Sequence, residues 1–291
     1  MPRTRRIALL CGAIVLVGGL ALSWIAGSFM VRGEAAAVPP AEAPARDLRI
    51  RTGDGLTLAA TYWPGRRPVS PAILLLHGVK ASRASTASTA AWLSGLGYAA
   101  LTVDFRGHGE SDMAERSFGL RESSDARSAF EWLKRRQRGA RVAVIGHSLG
   151  GAAALLGPSG PLPADALVLQ AVYPDIRRAV RNRISARLTA APARLLEPLL
   201  SFQSKPRFGV LPGDLSPLEA LRRYRGPVFV LGGEDDLYTP PAETRALFAA
   251  APGPKGLWLV PGRGHSAMGE LGDETYRDRI RRFLERTIGP P

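Results

Sequence analysis

Short apolar runs alternate with amphipathic stretches from Asp47 to the end of the chain. Leu48 to Arg51 and Leu56 to Tyr62 flank Gly53-Asp54-Gly55, which is typical of a β-hairpin. Six later runs are almost continuously apolar, as expected for strands buried on both faces of a parallel sheet: Ala72 to Leu76, Tyr98 to Val103, Val142 to Ile145, Ala166 to Val172, Val228 to Gly232 and Gly256 to Val260. Helical stretches fall between several of them: Ser85 to Leu96, Glu122 to Arg135, Leu149 to Leu156, Ala242 to Ala250 and Thr275 to Thr287. The pattern predicts one α/β domain over residues 47–291, with a doubly wound, mostly parallel sheet of about eight strands.

The interval from Pro174 to Arg225 interrupts this alternation. It is 52 residues long, more than a plain crossover between strands needs, and it carries eleven Lys+Arg against four Asp+Glu. Its leucines lie at partly helical spacing. We interpret residues 174–225 as a lid insertion over the carboxyl edge of the sheet, with a solvated surface insertion as the alternative.

An uncharged stretch from Ile7 to Val31 follows three arginines at the N-terminus. As a helix it would measure about 37 Å, enough to cross a hydrocarbon core of roughly 30 Å. Residues 1–33 are therefore predicted to be a signal-anchor, with cleavage as a signal peptide near Ala35 to Ala37 as the alternative. In both cases the basic N-terminus stays in the cytoplasm and the rest is exported. Residues 34–46, rich in Ala, Pro and Glu, predict a flexible tether that contributes nothing to the core.

Composition narrows the function classes. The formal net charge is +14, with 39 Lys+Arg against 25 Asp+Glu. No basic helix with base-reading spacing and no interleaved aromatic stripe is present, so the charge indicates a membrane surface or an anionic substrate rather than nucleic acid. Cys11 is the only cysteine, which excludes a disulfide within the chain and makes a cysteine nucleophile or metal site not credible.

Gly146-His147-Ser148-Leu149-Gly150 stands directly behind the apolar run that ends at Ile145. A strand that ends in G-x-S-x-G and turns at once into a helix raises the serine on a tight, strained elbow with its oxygen exposed. Small residues follow the motif, so the helix is able to pack closely on the sheet. The pattern predicts Ser148 as a nucleophile.

A serine hydroxyl needs a base to take its proton and an acid to orient that base. His147 lies inside the elbow, and His77 and His108 end earlier strands. His265 follows the last strand on a glycine-rich loop, Gly262 to Ser266, and is our candidate base. Three adjacent carboxylates follow the penultimate strand and compete as the acid, and a fourth follows the strand before it: Glu234, Asp235, Asp236 and Asp175.

Five features stand at the ends of predicted strands: His77-Gly78-Val79, Asp104 to Ser111, Gly146 to Gly151, Asp236 and His265. Together they resemble the α/β-hydrolase superfamily, and most closely its serine-hydrolase branch of esterases, monoacylglycerol-lipase-like and serine-aminopeptidase-like proteins. The resemblance covers roughly Asp47 to the C-terminus apart from the insertion, and it has the chain order Ser, acid, His.

The resemblance implies an α/β-hydrolase fold and assigns roles to individual residues. Asp236 would be the acid, because the family places it three residues beyond a glycine and shortly before a proline. The backbone N–H groups of Val79 and Leu149 would form the oxyanion hole. The loop from Asp104 to Ser111 would brace the loops around the site, and the serine at the elbow argues against dehalogenases and epoxide hydrolases.

The expected function is hydrolysis of carboxylic esters through an acyl-enzyme on a triad of Ser148, His265 and Asp236. An amidase, peptidase, thioesterase or acyltransferase on the same triad is the alternative, as is a non-catalytic binding protein on the fold. The expected substrate is a small ester or lipid, with no metal or organic cofactor and no nucleic acid partner. The expected location is a membrane anchor with the catalytic domain outside the cytoplasm, or secretion after cleavage; the oligomeric state is not indicated.

Overall fold

The computed structural model describes residues 3–158, 160–265 and 273–291. In chain order its elements are α1 (Arg3–Val31), β1 (Glu34–Ala35), β2 (Arg46–Arg51), β3 (Thr57–Trp63), β4 (Ala72–Leu76), α2 (Ala84–Leu96), β5 (Ala99–Val103), β6 (His108–Gly109), α3 (Glu122–Arg136), β7 (Val142–His147), α4 (Leu149–Leu155), β8 (Ala166–Gln170), α5 (Ile176–Ser185), α6 (Ala190–Ser201), α7 (Ser204–Phe208), a 3-10 turn (Pro212–Asp214), α8 (Pro217–Leu221), β9 (Val228–Gly233), α9 (Pro241–Ala250), β10 (Lys255–Val260) and α10 (Glu274–Ile288).

Eight strands form one sheet in the order β10-β9-β8-β7-β4-β5-β3-β2. The pairs β2–β3 and β3–β5 are antiparallel, and the others are parallel. The predicted doubly wound, mostly parallel eight-stranded sheet is thus confirmed. The winding reverses between β4 and β7, and ligands of open α/β sheets bind beyond the carboxyl ends of the strands at such a point.

The two faces of the sheet bury separate parts of the core, because successive side chains of a strand point to opposite sides. On β4, Leu74 and Leu76 pack on the side of α3 and α4, whereas Ile73 and Leu75 pack on the side of α2 and α10. All five residues of β4 are buried. This two-sided burial is why the central strands read as continuous apolar runs.

Helix α1 contains a 22-residue segment, Leu10–Val31, with a mean hydropathy of 2.1. By length and composition it is able to cross a membrane, and 11% of its most apolar window is buried in the protein. The end of the helix, from Ser23 onward, contacts the domain, where it meets α6 and α7. The N-terminal helix is therefore a candidate membrane span or signal segment whose last turns belong to the domain.

Residues 34–46 differ from the free tether that their composition predicts. Glu34–Ala35 pairs in parallel with His108–Gly109, and Val38 and Ala45 are buried. The buried guanidinium of Arg116 donates to the carbonyl oxygen of Arg32, at 2.6 Å from Nε. Composition misses this docking because backbone pairing and one buried arginine hold the segment, not a hydrophobic pattern of its own.

The predicted lid insertion folds into four short helices, α5 to α8, and a 3-10 turn between β8 and β9. Helices α5 and α6 pack on each other, joined by Arg177 and Arg181, which both bond the Glu197 carboxylate. Several apolar side chains of the insertion stay exposed: Leu188, Leu195, Leu196, Leu199, Phe202 and Leu211. The insertion thus covers part of the sheet edge while presenting apolar surface outward.

Candidate active site

Ser148 occupies the turn between β7 and α4 with backbone angles φ 48° and ψ −108°. A positive φ is uncommon for a residue other than glycine, and strain of this kind persists only where the surroundings enforce it. Here the enforcement is close packing on both sides. A Cβ at Gly146 would overlap the backbone of Gly151, and one at Gly150 would overlap the carbonyl oxygen of Leu76. The elbow therefore depends on both glycines of the pentapeptide.

The structure brings the three predicted triad residues into one hydrogen-bonded chain. His265 Nε2 lies 3.1 Å from Ser148 Oγ, and His265 Nδ1 lies 2.9 Å from Asp236 Oδ2. Ser148 and Asp236 are buried, while His265 is partly exposed. Residue Ser266, the next in the loop, lies outside the described residues. The arrangement suits transfer of a proton from the serine to an imidazole that is oriented by a carboxylate.

Asp236 is held as a carboxylate by several donors. Its Oδ1 accepts from the N–H groups of Tyr238 at 2.8 Å and Thr239 at 2.9 Å, and Oδ2 accepts from the Thr239 hydroxyl at 2.5 Å. Burial acts to raise the pKa of Asp236, but His265 and the Thr239 donors outweigh it and hold the pKa below its usual range. Asp236 therefore keeps its charge at neutral pH.

The other candidate acids lie elsewhere. Glu234 and Asp235 precede Asp236 directly, yet both are exposed. Asp175 caps α5 by accepting from the N–H of Arg178 at 2.9 Å. Among the described residues, Asp236, the acid that the family resemblance implies, is the carboxylate that bonds His265. The geometry thus separates it from the three other carboxylates.

The two N–H groups predicted for the oxyanion hole flank Ser148. Leu149 is the first residue of α4, and Val79 follows β4, the strand beside β7. A cavity of ≈30 Å³ is lined by Ser148, Leu149 and Val79 together. Within the described residues neither N–H group has a hydrogen-bond acceptor, which leaves both available to a developing oxyanion.

His77 and His147 support the site without contacting the serine hydroxyl. The N–H of Phe105 donates to His77 Nε2 at 3.1 Å, so Nδ1 carries the proton and donates to the carbonyl of Gly78 at 2.7 Å. His147 donates from Nε2 to the carbonyl of His265 at 2.8 Å. Burial lowers the pKa of His77 to about 3 and that of His147 to about 4. Both imidazole rings are therefore neutral and hold backbone segments of the site in place by hydrogen bonds. No sequence motif predicted the bond from His147 to the backbone of His265.

The loop from Asp104 to Ser111 braces its surroundings through the ion pairs of two buried arginines. Arg106 bonds the carboxylates of Asp125 at 2.7 Å and Asp54 at 2.7 Å. Arg83 bonds Asp104 and, at 2.6 Å, Glu110. Burial raises the pKa of Asp125 to about 6 despite the bond to Arg106. Sequence reasoning missed Arg83 and Asp125, because neither is part of a motif.

Arg183 adds a positive charge at the lid side of the site. It projects from α5 into the wall of the ≈30 Å³ cavity that contains Ser148, and its guanidinium lies 5.2 Å from the ring centre of Tyr238. Tyr238 in turn lies 5.4 Å from the ring of His265. Burial lowers the pKa of Arg183, and in the described part of the chain no carboxylate forms a salt bridge with it. The sequence does not distinguish Arg183 from the ten other basic residues of the insertion.

The substrate space nearest the chemistry is small. A cavity of ≈190 Å³ is lined by Ser148 and His265 together with Val79 and the side chains of α2. A larger cavity of ≈770 Å³ lies between β10 and α10, among Arg279, Arg282 and Arg286, and contains none of the triad residues. We assign the candidate active site to the cavity of ≈190 Å³ because Ser148 and His265 both line it.

No group of three or more His, Cys, Asp or Glu side chains among the described residues is arranged to hold a metal ion.

The model of the alpha/beta hydrolase family matches the chain over residues 73–278, which includes the elbow, Asp236 and His265. The chain belongs to the alpha/beta hydrolase family.

Relatives of this hydrolase span bacteria and animals. It is 32% identical over 245 residues to an uncharacterized protein of Mycobacterium tuberculosis, covering 83% of this chain and 80% of that protein. It is 34% identical over 119 residues to the lysophosphatidylserine lipase ABHD12 of Danio rerio, covering 38% of this chain and 30% of the lipase. An esterase of Pyrococcus furiosus has the same fold, with a TM-score of 0.70 at 21% identity over 89% of this chain and 99% of the esterase.

Proposed function

We propose that this hydrolase cleaves carboxylic esters through an acyl-enzyme formed on Ser148. The observation that carries the proposal is the unbroken chain from Ser148 Oγ through His265 to the Asp236 carboxylate, at 3.1 and 2.9 Å. The esterase and lipase named among the similar proteins support an ester in preference to an amide or thioester.

In this mechanism Ser148 Oγ attacks the ester carbonyl carbon while His265 Nε2 takes the serine proton. The carbonyl oxygen becomes an oxyanion, which accepts hydrogen bonds from the N–H groups of Val79 and Leu149. His265 then gives its proton to the alcohol oxygen as the carbon–oxygen ester bond breaks. Water, deprotonated by His265, attacks the acyl-enzyme, and His265 returns this proton to Ser148 Oγ as the carboxylic acid leaves. Asp236 stabilises the imidazolium in both halves.

The test is labelling by a fluorophosphonate probe combined with a panel of matched ester, amide and thioester substrates. The wild-type protein is expected to be labelled and to turn over esters fastest, and Ser148→Ala is expected to lose both properties. A probe signal that survives Ser148→Ala would show that another residue is the nucleophile. A labelled protein that prefers amides or thioesters would keep the triad and overturn the substrate class.

A narrower candidate is an amphiphilic ester that carries an anionic group. Arg183 is the observation that favours it. Asp236 and Glu243 act on its charge without forming a salt bridge with it, so an anion in the cavity would stabilise this largely buried cation further. The insertion's excess of basic residues acts in the same direction. The ABHD12 relatives, named as lysophosphatidylserine lipases, suggest a lysophospholipid as the first compound to test.

Arg183→Gln is expected to lower kcat/KM for an anionic ester by about tenfold or more, since hydrogen bonds to charged groups contribute roughly 1.5–3 kcal/mol. A neutral ester of the same chain length should change little. Arg187→Gln, an exposed arginine beyond the same helix, is the matched control. Equal losses for the neutral and anionic esters would contradict a role in recognising charge.

We also propose that α1 anchors the protein in a membrane with the catalytic domain outside the cytoplasm. The length and hydropathy of Leu10–Val31 and the arginines that precede it support this orientation. Protease added outside the cytoplasmic membrane should digest the domain in intact cells. Digestion only after the cytoplasm is opened would reverse the topology, and a soluble exported domain lacking α1 would indicate cleavage.

A further inference from the structure

The last turn of the N-terminal helix reaches the active site. Met30 of α1 lines the ≈30 Å³ cavity that also touches Ser148 and Leu149. The rest of that wall is mostly apolar, with Phe118 and, from α5, Ile176 and Val180. A segment that was expected only to anchor the protein therefore supplies a side chain next to the nucleophile.

A second cavity of ≈30 Å³ continues from the first along α1. The two cavities share Met30, Phe118, Ile176 and Val180, so these four side chains lie at the boundary between them. The second cavity extends to Gly27 and runs beneath α6 and α7. Each cavity is about the size of one water molecule, so an acyl chain requires this boundary to move. Met30 suits that role, because its unbranched thioether side chain adapts to irregular spaces.

The outer end of this line of cavities lies where α1 meets the lid. Ser23 Oγ donates to the carbonyl of Leu199 at 2.8 Å, and Arg207 stacks 3.9 Å above the ring of Trp24 while donating to its carbonyl at 2.9 Å. On the outside of this junction, apolar side chains of both partners are exposed: Trp24, Ile25 and Phe29 of α1, and Leu195, Leu199 and Phe202 beside them.

This apolar surface is continuous with the candidate membrane span. About twenty helical residues cross a hydrocarbon core of roughly 30 Å, and counting from Ile7 this length ends at Ala26. Gly27, Met30 and Val31, which line the cavities, then lie at the membrane surface. The exposed leucines of α6 lie beside this end of α1, where lipid would cover apolar side chains without directional contacts.

We infer that Gly27, Met30 and Val31 form a wall of the acyl-binding site, and that the acyl chain of a membrane amphiphile reaches Ser148 through the seam between α1 and the lid. The inference rests on the proposed function in taking an acyl group as the ligand. It assigns chain-length selectivity to Met30 and entry from the bilayer to the junction of Trp24, Leu199 and Arg207.

The first test measures chain-length selectivity in the full-length protein. Met30→Trp, which fills the seam, should lower kcat/KM for palmitoyl esters about tenfold or more relative to acetyl esters. Met30→Ala should shift the preference toward longer chains. Leu16→Trp places the same bulk on an exposed side of the same helix, away from the junction, and should behave as wild type. Equal effects of Met30→Trp on short and long esters would overturn the inference.

Labelling separates this inference from the ester proposal. Fluorophosphonates with a short and a long alkyl chain report access to Ser148 without requiring turnover of any ester. Met30→Trp should slow labelling by the long-chain probe and leave the short-chain probe unchanged. If no ester is hydrolysed while this contrast persists, the proposed reaction fails and the acyl site stands. If esters are hydrolysed and the contrast is absent, the acyl site fails alone.

The route from the bilayer is tested by a charge on the outer surface of the seam. Leu199→Asp should lower kcat/KM for a long-chain ester embedded in phosphatidylcholine vesicles, and it should leave a water-soluble acetyl ester unchanged. Val69→Asp is the control, since Val69 is exposed just before β4, at the amino edge of the sheet away from Ser148. Unchanged hydrolysis of the embedded ester by Leu199→Asp would contradict entry through the seam.

Discussion

At the carboxyl edge of the sheet, Ser148, His265 and Asp236 are joined by hydrogen bonds of 3.1 and 2.9 Å, and each stands at the end of a strand. The helices above that edge line the adjoining cavities largely with apolar side chains, and many of their leucines remain exposed. The first region holds reacting atoms with directional bonds, as catalysis requires. The second forms adaptable walls, so the comparison separates the part that performs chemistry from the part that selects the substrate.

The same contrast holds for buried charge. Below the site, Arg83 and Arg106 are each bonded to two carboxylates. Above it, Arg183 lines the cavity, and within the described residues it bonds only the carbonyl of Ala179, at 3.0 Å. Paired arginines stabilise loops, whereas an arginine without a carboxylate is available to a ligand.

Removing the nucleophile should give the largest effect. Ser148→Ala is expected to lower kcat by about 10⁴ or more, as triad deletions do in other hydrolases. The melting temperature should stay near that of wild type, because the hydrogen bond from the Ser148 hydroxyl to His265 serves the reaction and contributes little to the stability of the fold. The matched control is Ser128→Ala on the surface of α3, which should leave kcat unchanged. If kcat stays near wild type without Ser148, the triad is not the region that performs the chemistry.

Asp236→Asn should cost about 10⁴ in kcat, since the amide cannot stabilise the imidazolium and favours the wrong tautomer. Asp235→Asn should cost far less, because that side chain is exposed. Asp175→Asn should also be mild, because asparagine caps a helix nearly as well as aspartate. The measurement is kcat on one activated ester near neutral pH. A crippled Asp235 or Asp175 variant beside an active Asp236 variant would reassign the acid.

Truncation at two positions tests which part of the N-terminal segment belongs to the folded domain. A chain that begins at Asp47 should be less stable than one that begins at Ser23. It loses buried Val31 and Val38, and the guanidinium of Arg116 loses the carbonyl of Arg32. An unsatisfied buried donor costs roughly 1–3 kcal/mol, which urea unfolding at neutral pH resolves. Equal stabilities would show that residues 23–46 act as a free tether after all.

Acid should destabilise the region below the site through its buried histidines. The pKa values of His77 and His147 are lowered to about 3 and about 4, so the unfolded chain takes up these protons first as the pH falls. Stability should drop from about pH 6.5 downward by about 1.4 kcal/mol per pH unit for each histidine. The raised pKa of Asp125, about 6, offsets part of this loss.

His77→Gln keeps an acceptor for the N–H of Phe105 and removes one titration. Its free energy of unfolding should therefore be lower at neutral pH but fall less steeply with acid, by about 1.4 kcal/mol per pH unit. Urea unfolding at a series of pH values gives the slope. An unchanged slope would mean that His77 is not kept neutral by burial.

The order of strands and helices, the elbow at Ser148 and the candidacy of His265 follow from local patterns. Alternating burial, glycines that permit close backbone approach and a polar residue at a strand end all act over a few neighbouring residues, so the linear order of side chains carries them. Asp236 was chosen among its neighbours through the family resemblance, whereas only the tertiary structure placed its carboxylate on His265 and paired Arg83 with Asp104. It alone brought Met30 beside Ser148, because these contacts join residues far apart in the chain, and their distances depend on how the sheet, the lid and the N-terminal helix pack together.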